Sequence, residues 1–230
     1  MAEKTVDPVN TPILSILKEH GRPTFGLHAN KQWYEDPRHL VFSMARYKFV
    51  AKMLSGSKNA LEIGCGDGFN ARIIKQEVKT LTLCDIDPLF VADANEHVTK
   101  EWPYEAFTHD ILTGPVPRPP ASFDAIYTLD VLEHVEQARE GIFLKNALAS
   151  LAPNGVMIVG MPSKESLAFA KPVEVTGHIN CKTQPELKAL MQQYFHNVFM
   201  FSMNDEMVHT GYSKLAHYIF ALCCAPKAKG

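Results

Sequence analysis

Features that would place a chain in a membrane or secreted class are missing from these 230 residues. No apolar run approaches the ~18 residues that a membrane-spanning helix needs, and the first residues lack the apolar core of a signal peptide. The five cysteines form an odd count without C-x-x-C spacing, which favours reduced thiols. We therefore expect a cytoplasmic protein that does not associate with a membrane.

An excess of charge of either sign is also missing. Lysine and arginine together number 23 and aspartate and glutamate 25, for a formal net charge of −2. An enzyme of nucleic acids normally shows a basic excess or patch, so nucleic acid is a disfavoured partner. The 46% hydrophobic and 21% charged residues are typical of an ordinary globular protein, and the length suits one α/β domain.

Predicted strands and helices alternate through the middle of the chain, which is typical of a parallel sheet. Two helices precede this region, at 11–20 and 39–55, with a loop containing Trp33 and Tyr34 between them. A helix at 185–194 and two strands at 197–203 and 214–223 follow it. The alternating strands are 59–63, 80–85, 104–108, 123–129 and 155–160, and the helices between them are 68–76, 88–99 and 138–151.

The stretch from Leu61 to Gly68 ends an apolar run in a turn with glycine at alternate positions. Glycines let the backbone turn sharply and bring N–H groups close to a ligand. Asp85 stands seventeen residues after Gly68, at the end of the next predicted strand, where a carboxylate can accept both hydroxyls of a ribose. This pattern indicates a nucleotide-bearing cofactor.

The spacing of the glycines separates two classes of cofactor. A dinucleotide fingerprint has glycine at its sixth position, but counting from Gly64 that position is Phe69, and glycine falls at the fifth. The sequence also has no Tyr-x-x-x-Lys pair for hydride chemistry. An NAD(P)-dependent oxidoreductase stays open as an alternative, because a glycine loop and a ribose carboxylate serve both cofactors.

The pattern Glu-x-Gly-x-Gly-x-Gly from Glu62, with Asp85 downstream, resembles motif I and the following acidic position of class I S-adenosylmethionine-dependent methyltransferases. Further matches at 108–111, 123–135 and 151–159 extend the resemblance over roughly residues 40–200, with Asn154 where Pro-Gly-Gly is usual. The chain is similar to small-molecule members such as the O-methyltransferases of ubiquinone synthesis. The resemblance implies a Rossmann-like α/β fold: a seven-stranded, mostly parallel sheet with helices on both faces and an antiparallel C-terminal edge hairpin.

The resemblance also implies S-adenosylmethionine as the cofactor and S-adenosylhomocysteine as its product. Gly64 and Gly66 would line the methionine part, Gly68 would start the following helix, and Glu62 would brace the loop or reach the amino group through water. Cys65 lies in the same loop, where packing is its favoured role. A bulky side chain at either of the first two glycines would occupy the volume of the ligand.

At the adenosine end, Asp85 would accept the ribose hydroxyls and Ile86 would pack on the adenine face. Asp110 would meet the adenine amino group, or instead cap a turn, and the N–H of Ile111 would reach a ring nitrogen. The main-chain carbonyl of Leu129 would receive the ammonium group. Residues near the N-terminus are further candidates for capping the methyl donor, or for ordinary core positions: Trp33, Tyr34, Arg46 and Tyr47.

Two histidines are candidate catalytic residues, because a hydroxyl acceptor needs its proton removed near neutral pH. They are His134, after the fourth strand of the alternating region, and His178; a structural role is the alternative for each. The pattern Asp130-x-x-Glu133-His134 with His178 is also similar to that of metal-assisted O-methyltransferases, although Asp130 replaces the usual Glu. The metal-free mechanism is favoured, so no metal ligand is assigned.

The sequence thus predicts one methyltransferase domain over residues 1–230, with 1–37 as an N-terminal lid or substrate segment and 161–182 as a substrate-side insertion. It would transfer a methyl group from S-adenosylmethionine by in-line displacement to a small-molecule acceptor, at a hydroxyl oxygen. An RNA 2′-O-methyltransferase that uses a divalent metal and a non-catalytic binding module are further alternatives. A homodimer is left open.

Overall fold

An eight-stranded sheet forms the centre of the computed structural model, which describes residues 4–170 and 176–227. The strands are β1 (Asn59–Ile63), β2 (Thr80–Asp85), β3 (Glu105–Thr108), β4 (Phe123–Leu129), β5 (Leu151–Pro162), β6 (Phe195–Asn204), β7 (Met207–His209) and β8 (Tyr218–Pro226). The helices are α1 (Thr11–His20), α2 (Leu27–Glu35), α3 (Pro37–Met53), α4 (Ala71–Lys75), α5 (Pro88–Glu96), α6 (Glu140–Ser150) and α7 (Gln184–Met191).

The strand order is β3-β2-β1-β4-β5-β8-β6-β7. The first five strands pair in parallel, and β8, β6 and β7 pair antiparallel beyond β5. This arrangement confirms the predicted α/β fold, with one strand more than expected. The additional strand is β7, which pairs through only three residues, and so short a strand has no periodicity that the sequence could reveal.

Helices cover both faces of the sheet. Successive side chains of a strand point to opposite sides, so each strand contributes residues to the packing on both faces. Ile126 belongs to a cluster with Phe143 and Leu144 of α6 and Leu187 of α7. Its neighbour Tyr127 belongs to a second cluster, which contains residues of α3 and α4. The protein therefore has two hydrophobic cores, one on each side of β4.

Helix α2 corrects the prediction of a loop around Trp33 and Tyr34. Its N-cap residue, Gly26, has no side chain with which to cap the first turn. Two carboxylates from elsewhere in the chain accept the exposed N–H groups instead: Asp93 from Leu27 at 2.8 Å and Asp67 from Ala29 at 3.0 Å. Because these acceptors are distant in sequence, no local capping pattern marked the start of the helix.

The ends of several other elements also differ from the prediction, above all those of the fifth and the last strands. β5 begins at Leu151 and continues to Pro162, where it pairs with Tyr218, so the insertion predicted at 161–182 begins two residues later than predicted. A 3₁₀ helix, Ser213–Leu215, stands where the last strand was predicted to begin. Residues 171–175 of the insertion lie outside the described residues. In the described part of the chain, no helix combines the length and apolarity that crossing a bilayer requires.

Candidate functional site

A cavity of about 980 Å³ opens at the carboxyl ends of the parallel strands, where β1 and β4 lie side by side. In open α/β sheets this point, at which the strand order reverses, is the usual place for a ligand. Ten of the predicted site residues line this cavity: Gly64, Cys65, Gly66, Asp85, Ile86, Asp110, Ile111, Leu129, His134 and His178. Glu62 and Gly68 do not line it.

The glycine loop after β1 adopts a conformation that side chains disfavour. Gly64, Gly66 and Gly68 have φ of +78°, +53° and +62°. A Cβ at Gly64 would lie 2.2 Å from a methyl carbon of Val131, and one at Gly68 would lie 2.9 Å from Ala94. The bend is therefore restricted to glycine by backbone conformation and by close neighbours, before any ligand is considered.

Asp85 holds this loop in place. Its Oδ2 accepts the N–H of Gly66 at 2.8 Å, and its Oδ1 accepts the N–H of Asp87 at 2.9 Å. Since the same carboxylate also lines the cavity, it joins the ends of β1 and β2 at the site predicted for a ribose. Asp110 likewise caps a turn, by accepting the N–H of Leu112 at 2.8 Å, while lining the cavity.

Glu62 lies behind the loop, fully buried. Tyr127 donates a hydrogen bond to its Oε2 at 2.8 Å, and Tyr47 donates to its Oε1. Burial raises the pKa of Glu62 to about 8, against the effect of the two hydroxyl donors. The side chain therefore connects β1 to α3 and β4, and its burial favours the protonated form.

Helix α2 contributes a set of cavity residues that sequence reasoning missed. Arg46 and Tyr47 of α3 do line the cavity, but Trp33 and Tyr34 do not. Trp33 stacks on Phe25 with 5.6 Å between ring centroids, and Tyr34 is 81% exposed. The α2 residues that face the cavity recur at helical spacing, a signal that would have identified them had the helix been predicted: His28, Ala29, Lys31, Gln32 and Glu35.

The cavity wall also contains a partly buried ion pair. Arg46 donates to Asp130 Oδ2 at 2.8 Å, and its guanidinium carbon lies 4.0 Å from the centroid of the Tyr218 ring. Asp130 itself has φ of +57°, a conformation that aspartate tolerates better than most residues. The structure therefore pairs Asp130 with Arg46 and leaves it out of the group formed by Glu133, His134 and His178.

His134 and His178 come together although 44 positions separate them in the sequence. Their ring centroids are 4.9 Å apart, and the rings meet edge to face. His134 Nδ1 lies 3.0 Å from the carbonyl oxygen of Gly177, which can only accept a hydrogen bond, so this nitrogen carries the proton. Burial and the nearby His134 lower the pKa of His178.

Glu133 completes this group. Its side chain is fully buried, and neither carboxylate oxygen has a hydrogen-bond partner among the described residues. Burial, together with the charge of Asp130, raises the pKa of Glu133 well above its usual range. One ligand atom each from Glu133, His134 and His178 lies within 4.8 Å of the others.

The sequence of this chain matches one protein family and several known methyltransferases. Residues 61–157 match the family described as methyltransferase domain. A probable S-adenosylmethionine-dependent methyltransferase of Mycolicibacterium smegmatis is 31% identical over 160 residues, which are 69% of this chain and 56% of that protein. The mitochondrial ubiquinone biosynthesis O-methyltransferase of Schizosaccharomyces pombe is 27% identical over 125 residues, which are 53% of this chain and 44% of that protein. The chain spans about half the length of these curated relatives.

Solved structures give a match in fold. The N-methyltransferase NodS from Bradyrhizobium japonicum, in complex with S-adenosyl-L-homocysteine, has a TM-score of 0.61 to this chain at 20% sequence identity. The match covers 84% of this chain and 90% of NodS. At this identity the likeness shows the fold, and it agrees with the Rossmann-like arrangement predicted from the sequence.

Proposed function

We propose that this chain, which carries a class I S-adenosylmethionine-dependent methyltransferase domain, transfers a methyl group from that cofactor to a hydroxyl oxygen of a small molecule. One observation carries the proposal: a glycine loop, a ribose-type carboxylate and a pair of histidines line a single cavity of about 980 Å³. That volume is in the range of ligand pockets. The relative named for ubiquinone biosynthesis is an O-methyltransferase, which supports oxygen as the acceptor atom.

The residues at one end of the cavity fit an adenosyl ligand. The backbone at Gly64 and Gly66 presents no side chain toward it, and a Cβ at Gly66 would approach His28 Nδ1 to 3.1 Å. Asp85 would bind the ribose, Ile86 and the Asp110–Ile111 pair the adenine, and the Leu129 carbonyl the ammonium group. Bound S-adenosylmethionine would supply a methyl group on a positively charged sulfur.

The residues at the other end would prepare the acceptor. Because Nδ1 of His134 is held by the Gly177 carbonyl, its Nε2 is the nitrogen free to take a proton from a hydroxyl. The lowered pKa of His178 favours the neutral imidazole, which is the form that a general base needs. Most of the acceleration would come from holding the acceptor in line, a task for the cavity walls.

We propose that residues 1–230 form a single domain. Residues 1–37 would form a lid or substrate segment, because α2 lines the cavity over the glycine loop. The segment 161–182 would contact the acceptor, because it carries His178 and Ile179, which line the same cavity. The acceptor itself would be small, since the net charge of −2 gives no attraction for a polyanion.

Calorimetric titration of the purified protein with S-adenosylhomocysteine and, separately, with NAD tests the cofactor. Heat with the first ligand alone is expected, and heat only with NAD would refute the proposal. Turnover of S-adenosylmethionine with catechol and other hydroxyl compounds then tests the acceptor. We expect His134→Gln to lower that turnover by about 10²-fold, whereas His196→Gln, on an exposed position of β6, leaves it unchanged.

A second candidate, metal-assisted transfer to one of two neighbouring hydroxyls, is favoured by the unpartnered, buried carboxylate of Glu133. Together with His134 and His178 it offers the mixed oxygen and nitrogen ligands that transition-metal ions accept. A catechol or a ribose end could use such an ion to lower the pKa of a hydroxyl. Calorimetry with Mn²⁺ tests this candidate: binding that is lost in Glu133→Gln and kept in Glu136→Gln supports it, and no binding removes it.

A further inference from the structure

Three buried or half-buried side chains near the cavity are hydrogen-bonded to one another in a closed triangle. They are Glu140, Asn180 and Lys182. Lys182 Nζ lies 2.8 Å from Glu140 Oε2 and 3.0 Å from Asn180 Oδ1. The triangle closes through Asn180 Nδ2, which donates to Glu140 Oε2 at 3.0 Å. Asn180 and Lys182 are only 6% and 7% exposed. A lysine so deeply buried requires its carboxylate partner.

The triangle lies at the start of α6 and in the segment just after His178, and main-chain bonds connect that segment to Glu133. The N–H groups of Ile179 and Asn180 both donate to the Glu133 carbonyl at 2.9 Å. Farther along, the Lys182 carbonyl accepts the N–H of Lys164 at 2.9 Å. Main-chain hydrogen bonds therefore hold the segment that follows His178 at residues 179–180 and again at Lys182.

The imidazole of His178 has no comparable support of its own. Its Nδ1 is buried and has no hydrogen-bond partner among the described residues. A catalytic or metal-binding histidine is usually oriented by a hydrogen bond to its second ring nitrogen. Since that bond is missing here, the orientation of the ring against His134 depends on the backbone that carries it.

We propose that Glu140, Asn180 and Lys182 are positioning residues that hold His178 against His134. The role in catalysis rests on the proposed function, but the positioning itself is a property of the folded chain. Without the Lys182 ammonium, the Glu140 carboxylate would lose its positive partner and keep only the Asn180 amide, at a site only 15% exposed. The segment would then move to hydrate that carboxylate, and the His178 ring would lose its fixed distance to His134.

Nuclear magnetic resonance of the full chain with labelled histidine tests this proposal. His178→Gln and His134→Gln assign the two ring signals by their disappearance. The parent protein, saturated with S-adenosylhomocysteine, is expected to give a nuclear Overhauser cross-peak between the two rings. Lys182→Met and Glu140→Gln are expected to lose this cross-peak and to broaden the His178 signal, and Lys188→Met, on an exposed face of α7, is expected to keep both.

The outcomes separate the positioning role from the proposed function. A cross-peak that persists in either folded variant overturns the positioning role, and Glu140→Gln decides alone if Lys182→Met does not fold. Calorimetry on the same samples reports the cofactor site, where we expect unchanged affinity for S-adenosylhomocysteine in the folded variants. Absence of binding by the parent protein would refute the proposed function, while the cross-peak, recorded without ligand, would still decide the positioning.

Discussion

The carboxylate of Asp67 accepts the main-chain N–H of Ala29, with Oδ2 3.0 Å from the nitrogen. Its other oxygen accepts the N–H of Phe69 at 3.0 Å, within the glycine loop. Asp67 is only 7% exposed, so water competes little for either bond. One side chain thus joins the N-terminal helix α2 to the loop that we propose holds the cofactor.

Replacing this carboxylate should loosen α2. We expect Asp67→Ala to lower the free energy of unfolding by about 1–2 kcal/mol, because the buried N–H of Ala29 and the half-buried N–H of Phe69 lose their acceptor. Trypsin should also cleave faster at Lys31 in α2. Urea unfolding and limited proteolysis measure the two effects. Asp7→Ala is the matched control, since Asp7 caps an exposed 3₁₀ helix away from the loop, and equal proteolysis of both variants would contradict the connection.

The glycine loop should tolerate a methyl group poorly at Gly66. Its φ of +53° and the 3.1 Å approach to His28 predict that Gly66→Ala loses at least about tenfold in affinity for S-adenosylhomocysteine, with about 1–2 kcal/mol of backbone strain. Gly56→Ala, with φ of +86° and open space around the new Cβ, reports the strain alone. Calorimetry that finds equal affinity in both variants would argue against a ligand beside Gly66.

Asp85 should bind the ribose more strongly than an amide could. We expect Asp85→Asn to weaken binding of S-adenosylhomocysteine by roughly 10–100-fold, because charge-assisted hydrogen bonds contribute about 1.5–3 kcal/mol each. Asp124→Asn is the control: this carboxylate also accepts two main-chain N–H groups, from Lys58 and Asn59 at 2.8 Å, but it does not line the cavity. A similar loss of affinity in both variants would show that lost main-chain hydrogen bonds, and not a lost contact with the ribose, weaken the binding.

The buried carboxyl of Glu62 should make stability fall with rising pH. Its pKa is about 8 in the folded chain and near its ordinary 4.5 in the unfolded chain, so the unfolded state releases this proton first. Protonated Glu62 therefore contributes its full share to the free energy of unfolding below pH 4.5. This contribution, at most about 5 kcal/mol, is lost as the pH rises through about 8.

Urea unfolding at pH 5.5 and pH 8 measures this effect. Glu62→Gln resembles the protonated side chain at every pH, so the difference between the two pH values should shrink in that variant. Glu19→Gln, at a side chain 70% exposed, should leave it unchanged. An undiminished pH dependence in Glu62→Gln would show that other groups cause it.

The cofactor end of the cavity was predictable from the sequence because its signals are local. Gly64, Gly66 and Gly68 mark a bend by their spacing, and Asp85 ends an apolar strand. The carboxyl ends of parallel strands meet at one edge of a sheet, so these residues had to lie together. The ends of β1, β2 and β4 were predicted to the residue for the same reason, since turn residues bound each apolar run.

Only the tertiary structure decided the start of α2 and the grouping of the charged and histidine side chains around the cavity. Asp67 and Asp93 cap α2 from distant positions, so no local capping residue marks the start of this helix. The pairing of Arg46 with Asp130, which separates that aspartate from Glu133, His134 and His178, depends on how α3 packs on the sheet. Local sequence sets the conformation of a turn or a strand, whereas contacts between side chains far apart in the chain form only when the whole fold brings them together, and their partners cannot be identified before that.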